Sequence, residues 1–321
     1  MNVMPEKKNQ HFVPQFYLKN FASNANGKTI NIFNMGAEKL ITDGGVKQQA
    51  SKDYFYGKDK MIEDGLGELE TKSSLVFRKI IKDSYVPKYP SPDYILLLAF
   101  TVFLTARTEF FSDVQDEMLD KMVKRIFEQD PRSQGIDLSK VRVRYNNPPV
   151  FSLAVVKDII PLTMDLNLKI LVNKTEEVFV TSDNPVIRYN QFLEKRKPFG
   201  SNVAFAVKGL ELMLPISPTM FALFYDSSVY KVGNKKDDLV VIDRTTDIRS
   251  LNILSCANAY KNVYFNHDIS EAVMRDMYAQ AKSYRNKHKA SADRYQSVAD
   301  KSDSLIHVYS EDLRMNLQFA T

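Results

Sequence analysis

Residues 94–106, YILLLAFTVFLTA, are apolar around most of a helical circumference and are followed at once by Arg107. A helix apolar on all sides must be surrounded by other elements. The run falls short of the roughly 18–20 residues needed to span a bilayer. It is therefore expected as a central buried helix, with no membrane partner. The 321-residue chain is long enough to enclose it, as one large domain or two ordinary ones, and 44% hydrophobic residues suffice for the core. Arg107 has Phe100, Phe103 and Leu104 on its own face. A guanidinium there keeps its proton and costs several kcal/mol unless it is paired. It must meet a carboxylate from elsewhere or an anionic ligand, or snorkel to the helix end. Glu70, in LGELETK, either faces the core as that carboxylate or faces water.

The rest of the chain is read around this helix. KTINIFNMGAEKLIT alternates about a glycine-containing turn and predicts a β-hairpin, and GGVKQQASKDYFYGK predicts a loop with a short aromatic strand. From Met61 the period changes: Leu66, Leu69, Ser73, Val76, Phe77 and Ile80 recur at helical spacing until VPKYPSP ends the helix. Ser91 then caps the apolar helix with Pro92 in its first turn. Beyond it, DVQDEMLDKMVKRIFEQD puts Val114, Met118, Met122 and Ile126 on one stripe, with Glu117–Lys121 and Asp120–Lys124 pairs on the wet side. YNNPP opens another helix. After residue 167, NLKILVN and VFVTSDNPVIRY predict two strands around a polar turn, and GLELMLPISPTMFALFYD two more joined at ISPT. DLVVID, a helix over RTTDIRSLNILSCANAY and the strand NVYFN follow. The expected fold is α+β. An antiparallel sheet is built from the N- and C-terminal parts around a helical block near 61–166, forming one domain over 1–268. A C-terminal helical extension is expected over 269–321.

Composition narrows the chemistry. The single Cys256 excludes an internal disulfide framework and a Cys-based zinc site; it reads as a buried filler in a reducing, cytoplasmic compartment. The start MNVMPEKKNQ has charges but no apolar stretch of the kind a secretory signal carries. A net charge of +5 permits an anionic partner without demanding one. No Gly-rich phosphate loop, His-Glu-x-x-His, Gly-x-Ser-x-Gly or Rossmann fingerprint occurs, which weakens ATPase, zinc-protease, serine-hydrolase and dehydrogenase readings.

Polar candidates remain. His11 lies in NQHFVPQFYLKNFA, where Pro14 fixes a turn, keeps Val13 extended and lets Phe12, Phe16, Tyr17 and Leu18 anchor the segment. An anchored His suits a general base or metal ligand; it equally suits a ring that satisfies buried backbone groups. Asp183 interrupts a β-run at VFVTSDNPVI, where Ser182, Asp183 and Asn184 either cap local amides or present a carboxylate for a metal or a His. Ser217-Pro218 reads as a turn. KSYRNKHK, with Tyr284 interleaved, reads as a solvated helix face or a weak phosphate contact.

NQHFVPQFYLKNFA, FLTART, FVTSDNPVI, LPISP and LNILSCANAYKNVYF occur in one order over residues 9–266. In this the chain resembles the bacterial domain-of-unknown-function family 4238. The family label carries no agreed activity. The resemblance implies motif positions at His11, Pro14, Tyr17, Arg107, Ser182, Asp183, Asn184, Pro185 and Asn252, converging from distant segments. One expectation is a nuclease-like phosphodiester-cleaving enzyme, in class a toxin or phage-defence effector. In it His11 is general base or acid and meets Asp183. Arg107 stabilises phosphate charge, and Tyr17, Ser182, Asn184 and Asn252 bind substrate. A divalent metal, Mg²⁺ or Mn²⁺, sits on Asp183 with Glu70. The alternative is a non-catalytic module for a nucleic acid, nucleotide, protein partner or second copy, in which the His/Arg/Asp set fixes the fold.

Overall fold

In the computed structural model of the chain, which describes residues 8–58, 60–196, 200–286, 289–296 and 304–315, the aromatic opening forms a strand and one helical turn, β1 (Asn9–His11) and α1 (Gln15–Leu18). Pro14 stands at the start of α1 with φ −60° and ψ 139°. Its fixed φ turns the chain inward. Phe12, Val13, Tyr17 and Leu18 are all buried as a result. Next comes the expected hairpin, β2 (Thr29–Asn34) with β3 (Lys39–Gly45), and then β4 (Ser51–Asp53), which pairs with β1 so that His11 faces Ser51. The aromatic strand expected here is corrected: Ser-Lys-Asp forms the strand, and Tyr54 leaves it with a left-handed φ of 51°. The start of the chain that bears on a secretory signal lies largely outside the described residues.

The helical block follows the expected order: α2 (Lys60–Asp83), α3 (Pro92–Ala106), α4 (Glu109–Phe127) and α5 (Pro148–Ile159). Ser91 caps α3 by accepting from Tyr94 N, with Pro92 in the first turn. α3 is buried through most of its length. A 57° bend at Arg107–Thr108 separates it from α4, and no single helix among the described residues is long and apolar enough to cross a membrane. Thr108 restarts the helix by accepting from Phe111 N. The α4 stripe is only partly as expected. Val114 is buried, but Met122 and Ile126 stay 36% and 49% exposed. The side expected to be wet is the one that neighbours cover: Asp120 accepts from Val143 N and Lys121 donates to Ala290 O, besides their i,i+4 pairs.

The remaining elements are β5 (Asn167–Asn173), β6 (Thr181–Ser182), β7 (Ile187–Tyr189), α6 (Gln191–Glu194), β8 (Glu211–Ser217), β9 (Met220–Tyr225), β10 (Leu239–Ile242), α7 (Thr245–Asn258), β11 (Asn262–Phe265), α8 (Glu271–Lys282), β12 (Ala290–Gln296) and β13 (Ser304–Ser310). One sheet runs β10-β5-β9-β8-β7 and is antiparallel except for β10 beside β5. The other runs β3-β2-β11-β6 and joins N- and C-terminal parts as expected of the α+β fold. The inner strands of both sheets are buried on two faces, while the edge strands β3 and β10 stay partly exposed. Leu212, Leu214 and Ile216 of β8 pack with the helical block, while Met213 packs with Leu251 and Leu254 of α7. Phe33 of β2 joins Met274 and Met277 of α8.

Three expectations after residue 167 are corrected. β5 and the VFVTS segment do not form a hairpin: β5 belongs to the first sheet and β6 to the second. Phe179 fills one core and Val180 the next, so the chain crosses between sheets there. The C-terminal extension is helical only through α8. ASADRYQ and SLIHVYS alternate with period two and pair as the hairpin β12–β13. Arg285 does not belong to a solvated helix face. It folds back to donate to the carbonyls of Cys256, Ala257 and Tyr260 around the end of α7. Lys287, His288 and residues 316–321 lie outside the described residues.

The helical block and the opening segment meet in an aromatic cluster. Phe77 of α2 contacts Phe16, Tyr17 and Phe100 with ring centroids 5.5, 6.1 and 5.2 Å away. Phe77→Ala is expected to lower stability by about 3–5 kcal/mol, read by urea denaturation followed by circular dichroism. A loss under ~1 kcal/mol would contradict this packing.

Candidate functional site

Of the resemblance motifs, Arg107, the His11 carbonyl and Asn184 meet at the bend between α3 and α4. Arg107 is 2% exposed and its side chain has three partners. Nη1 pairs with Glu70 of α2 at 2.8 Å, Nη2 donates to the His11 carbonyl at 2.7 Å, and Nε donates to the Tyr56 hydroxyl at 3.1 Å. Burial works against the guanidinium charge, but Tyr56 and Glu70 outweigh it and hold the group protonated. Of the two places open to Glu70, the structure selects the core-facing one. Arg107 thereby ties α2 and α3 to the edge pair β1–β4.

His11 enters this cluster through its backbone. Its ring is half-buried, and Nε2 hydrogen-bonds the Lys47 carbonyl at 3.0 Å. Asp183 is engaged separately. One of its oxygens accepts from Tyr260 N at 2.8 Å, and the other from Lys261 N and Asn262 N at 2.8 and 3.1 Å. The carboxylate holds the turn from α7 into β11, one strand over from β6. Burial pushes the Asp183 carboxyl up to about 6, against the pull of these three amides. The expected meeting of the His11 ring with the Asp183 carboxylate is thus replaced by a longer link, from Arg107 through Thr108, which donates to Asn184 Oδ1 at 3.3 Å.

The expected substrate-binding residues are likewise committed inside the fold. The Tyr17 hydroxyl bonds Thr181 Oγ1 at 2.6 Å and donates to the Pro215 carbonyl at 2.8 Å, spanning both sheets; burial pushes its pKa well up. Ser182 Oγ accepts from Asn184 N. Asn184 and Asn258 exchange side-chain donors for each other's carbonyls at 2.9 and 2.6 Å. Asn252 on α7 accepts from Val180 N and donates to the Val178 carbonyl, fixing the crossing between the sheets. For a metal, the donor set does not assemble. Glu70 is paired to Arg107, both Asp183 oxygens face amides, and no group of three or more His, Cys, Asp or Glu among the described residues is placed to hold an ion.

A small cavity borders this framework, and a larger cleft lies apart from it. The first, about 80 Å³, lies between Asn184, Arg188 and the C-terminal segment. Arg188 lies over the Phe111 and Phe205 rings and donates to the Val203 carbonyl, while Asp312 closes the space by accepting from Ser201 Oγ and Asn202 N. That volume holds little more than water.

The second is a cleft of about 660 Å³ where β5 begins and β9 ends, lined by Lys88, Lys169, Lys231 and Lys235 with Tyr89 and Tyr225. Sequence reasoning missed it, because its lysines come from separate segments. The local signal was Lys beside Tyr, at Lys88-Tyr89 and again at Tyr230-Lys231.

Asp183 yields a pH prediction. Its folded pKa lies above the usual carboxylate value, so the folded chain binds this proton more tightly than the unfolded chain. Its contribution to stability is full below about pH 4 and is lost as pH rises through about 6. Denaturation curves across that window should show the wild type losing stability relative to Asp183→Asn, which has no proton to release. Parallel pH profiles would contradict the assignment.

No curated protein and no solved structure matches the chain. The model of a family of proteins of unknown function, DUF4238, matches residues 9–268. That stretch contains the Arg107 cluster, the Asp183 turn and both large sheets, and the chain belongs to this family.

Proposed function

We propose that the chain is a non-catalytic module that binds an anionic partner, a nucleic acid or a nucleotide. The observation that carries this reading is the state of the motif side chains. Arg107 and Asp183 each engage three groups of the protein itself. A group that stabilises charge on a reacting phosphate must have donors aimed at the substrate. Arg107 aims its donors at Glu70, Tyr56 and a carbonyl. A phosphodiesterase would also need the His11 ring and Asp183 to act on one bond, and they serve different segments. The anionic class of the partner is supported by the net charge of +5 and by the lysine-lined cleft, where Asp238 is the one acidic lining residue.

The test is incubation of the full chain with labelled tRNA, single-stranded RNA, and single- and double-stranded DNA, each with Mg²⁺, Mn²⁺ or EDTA. The expected outcome is salt-sensitive retention of at least one of these with no cleavage, unchanged in His11→Ala. Cleavage by the wild type, lost in a His11→Ala protein of normal stability, would establish the enzyme instead.

A further inference from the structure

The cleft at the ends of β5 and β9 has the composition of a binding site, and its groups divide into two kinds. Lys169 is 4% exposed and points inward. Its Nζ donates to the carbonyls of Asn234 and Asp237 at 3.1 and 2.6 Å and lies 3.6 Å from Asp238. It braces the loop that carries Lys235, while Lys88 pairs with the same Asp238. Asp238 therefore serves two ammonium groups, and burial, with the Lys88 charge, outweighs the pull of Asp237 and lowers the Lys169 pKa. Lys231 and Lys235 complete the lining, and neither has a carboxylate partner among the described residues.

The second kind is aromatic. Tyr89 is 58% exposed, yet its ring is held edge-to-face against Tyr94, with centroids 5.2 Å apart at 84°. Tyr94 is itself fixed, because its hydroxyl donates to the Leu166 carbonyl and its ring packs on Phe224. A large exposed ring on a rigid support is a stacking platform. Beside the lysines, Tyr225 presents a buried ring to the same space.

We infer that this cleft binds a nucleoside phosphate, its base against Tyr89 and its phosphates against Lys88, Lys231 and Lys235. Lys231 and Lys235, exposed and without a carboxylate partner beside a Lys88 that shares Asp238 with Lys169, favour a ligand carrying negative charge, and the exposed ring favours one carrying a planar base as well. The cleft volume lies within the roughly 300–1,000 Å³ usual for small-molecule sites. A free nucleotide and one unit of a single strand offer the same chemistry. The inference rests on the binding-module reading and names its site.

The test uses the full chain in fluorescence anisotropy and calorimetry, with AMP, ATP, a short labelled oligothymidylate, inorganic phosphate and polyglutamate as probes. Lys231→Glu/Lys235→Glu and Tyr89→Ala alter exposed side chains, and Lys39→Glu is a single charge-reversal control away from the cleft, on β3. The double charge reversal should weaken nucleotide or oligonucleotide binding about tenfold or more and flatten its salt dependence. Tyr89→Ala should weaken it about tenfold, the order base–aromatic stacking supports, and Lys39→Glu should leave it unchanged. Binding of ATP and AMP assigns the free nucleotide; binding of the oligothymidylate alone assigns the strand. Either supports the site. Inorganic phosphate or polyglutamate competing as well as ATP would overturn the nucleoside assignment. Nucleic-acid binding that survives undiminished in all three variants would overturn the cleft while leaving the binding module intact. No binding of any probe, and none of the nucleic acids above, would remove both.

Discussion

One buried cation, Arg107, organises the polar framework of this fold. Arg107 ends the most apolar helix of the chain in a place where its charge cannot be lost or hydrated. The protein answers by bringing Glu70, Tyr56 and the His11 carbonyl to it. Each comes from a different segment: α2, the turn after β4, and β1. Leaving such a guanidinium unpaired costs more than the pair itself adds, so the arrangement selects one packing of these segments over alternatives. The helix cannot continue through this point, and Thr108 restarts it with a 57° change of direction.

From that bend the polar order spreads to the sheets. Thr108 reaches Asn184, Asn184 and Asn258 tie β6's exit to the end of α7, and Asp183 gathers the amides of the next turn. Asn252 and Tyr17 do the same at the crossing between the sheets. These residues look like a catalytic set in sequence because buried hydrogen-bonded polar side chains and catalytic ones are drawn from the same residue types. Burial and partner counts separate them: a group whose acceptors and donors are met by backbone has little left for a substrate.

The local grammar of the chain was legible. Ser91-Pro92 marked the start of α3, the glycine turn marked the β2–β3 hairpin, and the charge on Arg107 required a partner that Glu70 was able to supply. What the sequence left open was long-range and mediated by backbone. The amides that Asp183 holds have no side-chain signature, so nothing at Asp183 distinguished a cap from a metal ligand. Phe179-Val180 alternates as any strand does, and only the presence of two cores makes it a crossing. The hairpin β12–β13 sits behind a polar stretch that hid its period of two. The lysine cleft is assembled from segments near residues 88, 169 and 231–235, and is visible only once β5, β9 and β10 lie side by side.

The measurement closest to the central claim is a double-mutant cycle on the buried pair, by urea denaturation of Glu70→Leu, Arg107→Met and the two together. If Arg107 is held for the fold, Glu70→Leu strands a buried cation and costs about 3–5 kcal/mol, and adding Arg107→Met recovers part of that loss. If Glu70→Leu leaves stability unchanged, or the double variant loses the simple sum of the two, the cation does not organise the structure and its charge is free for a substrate.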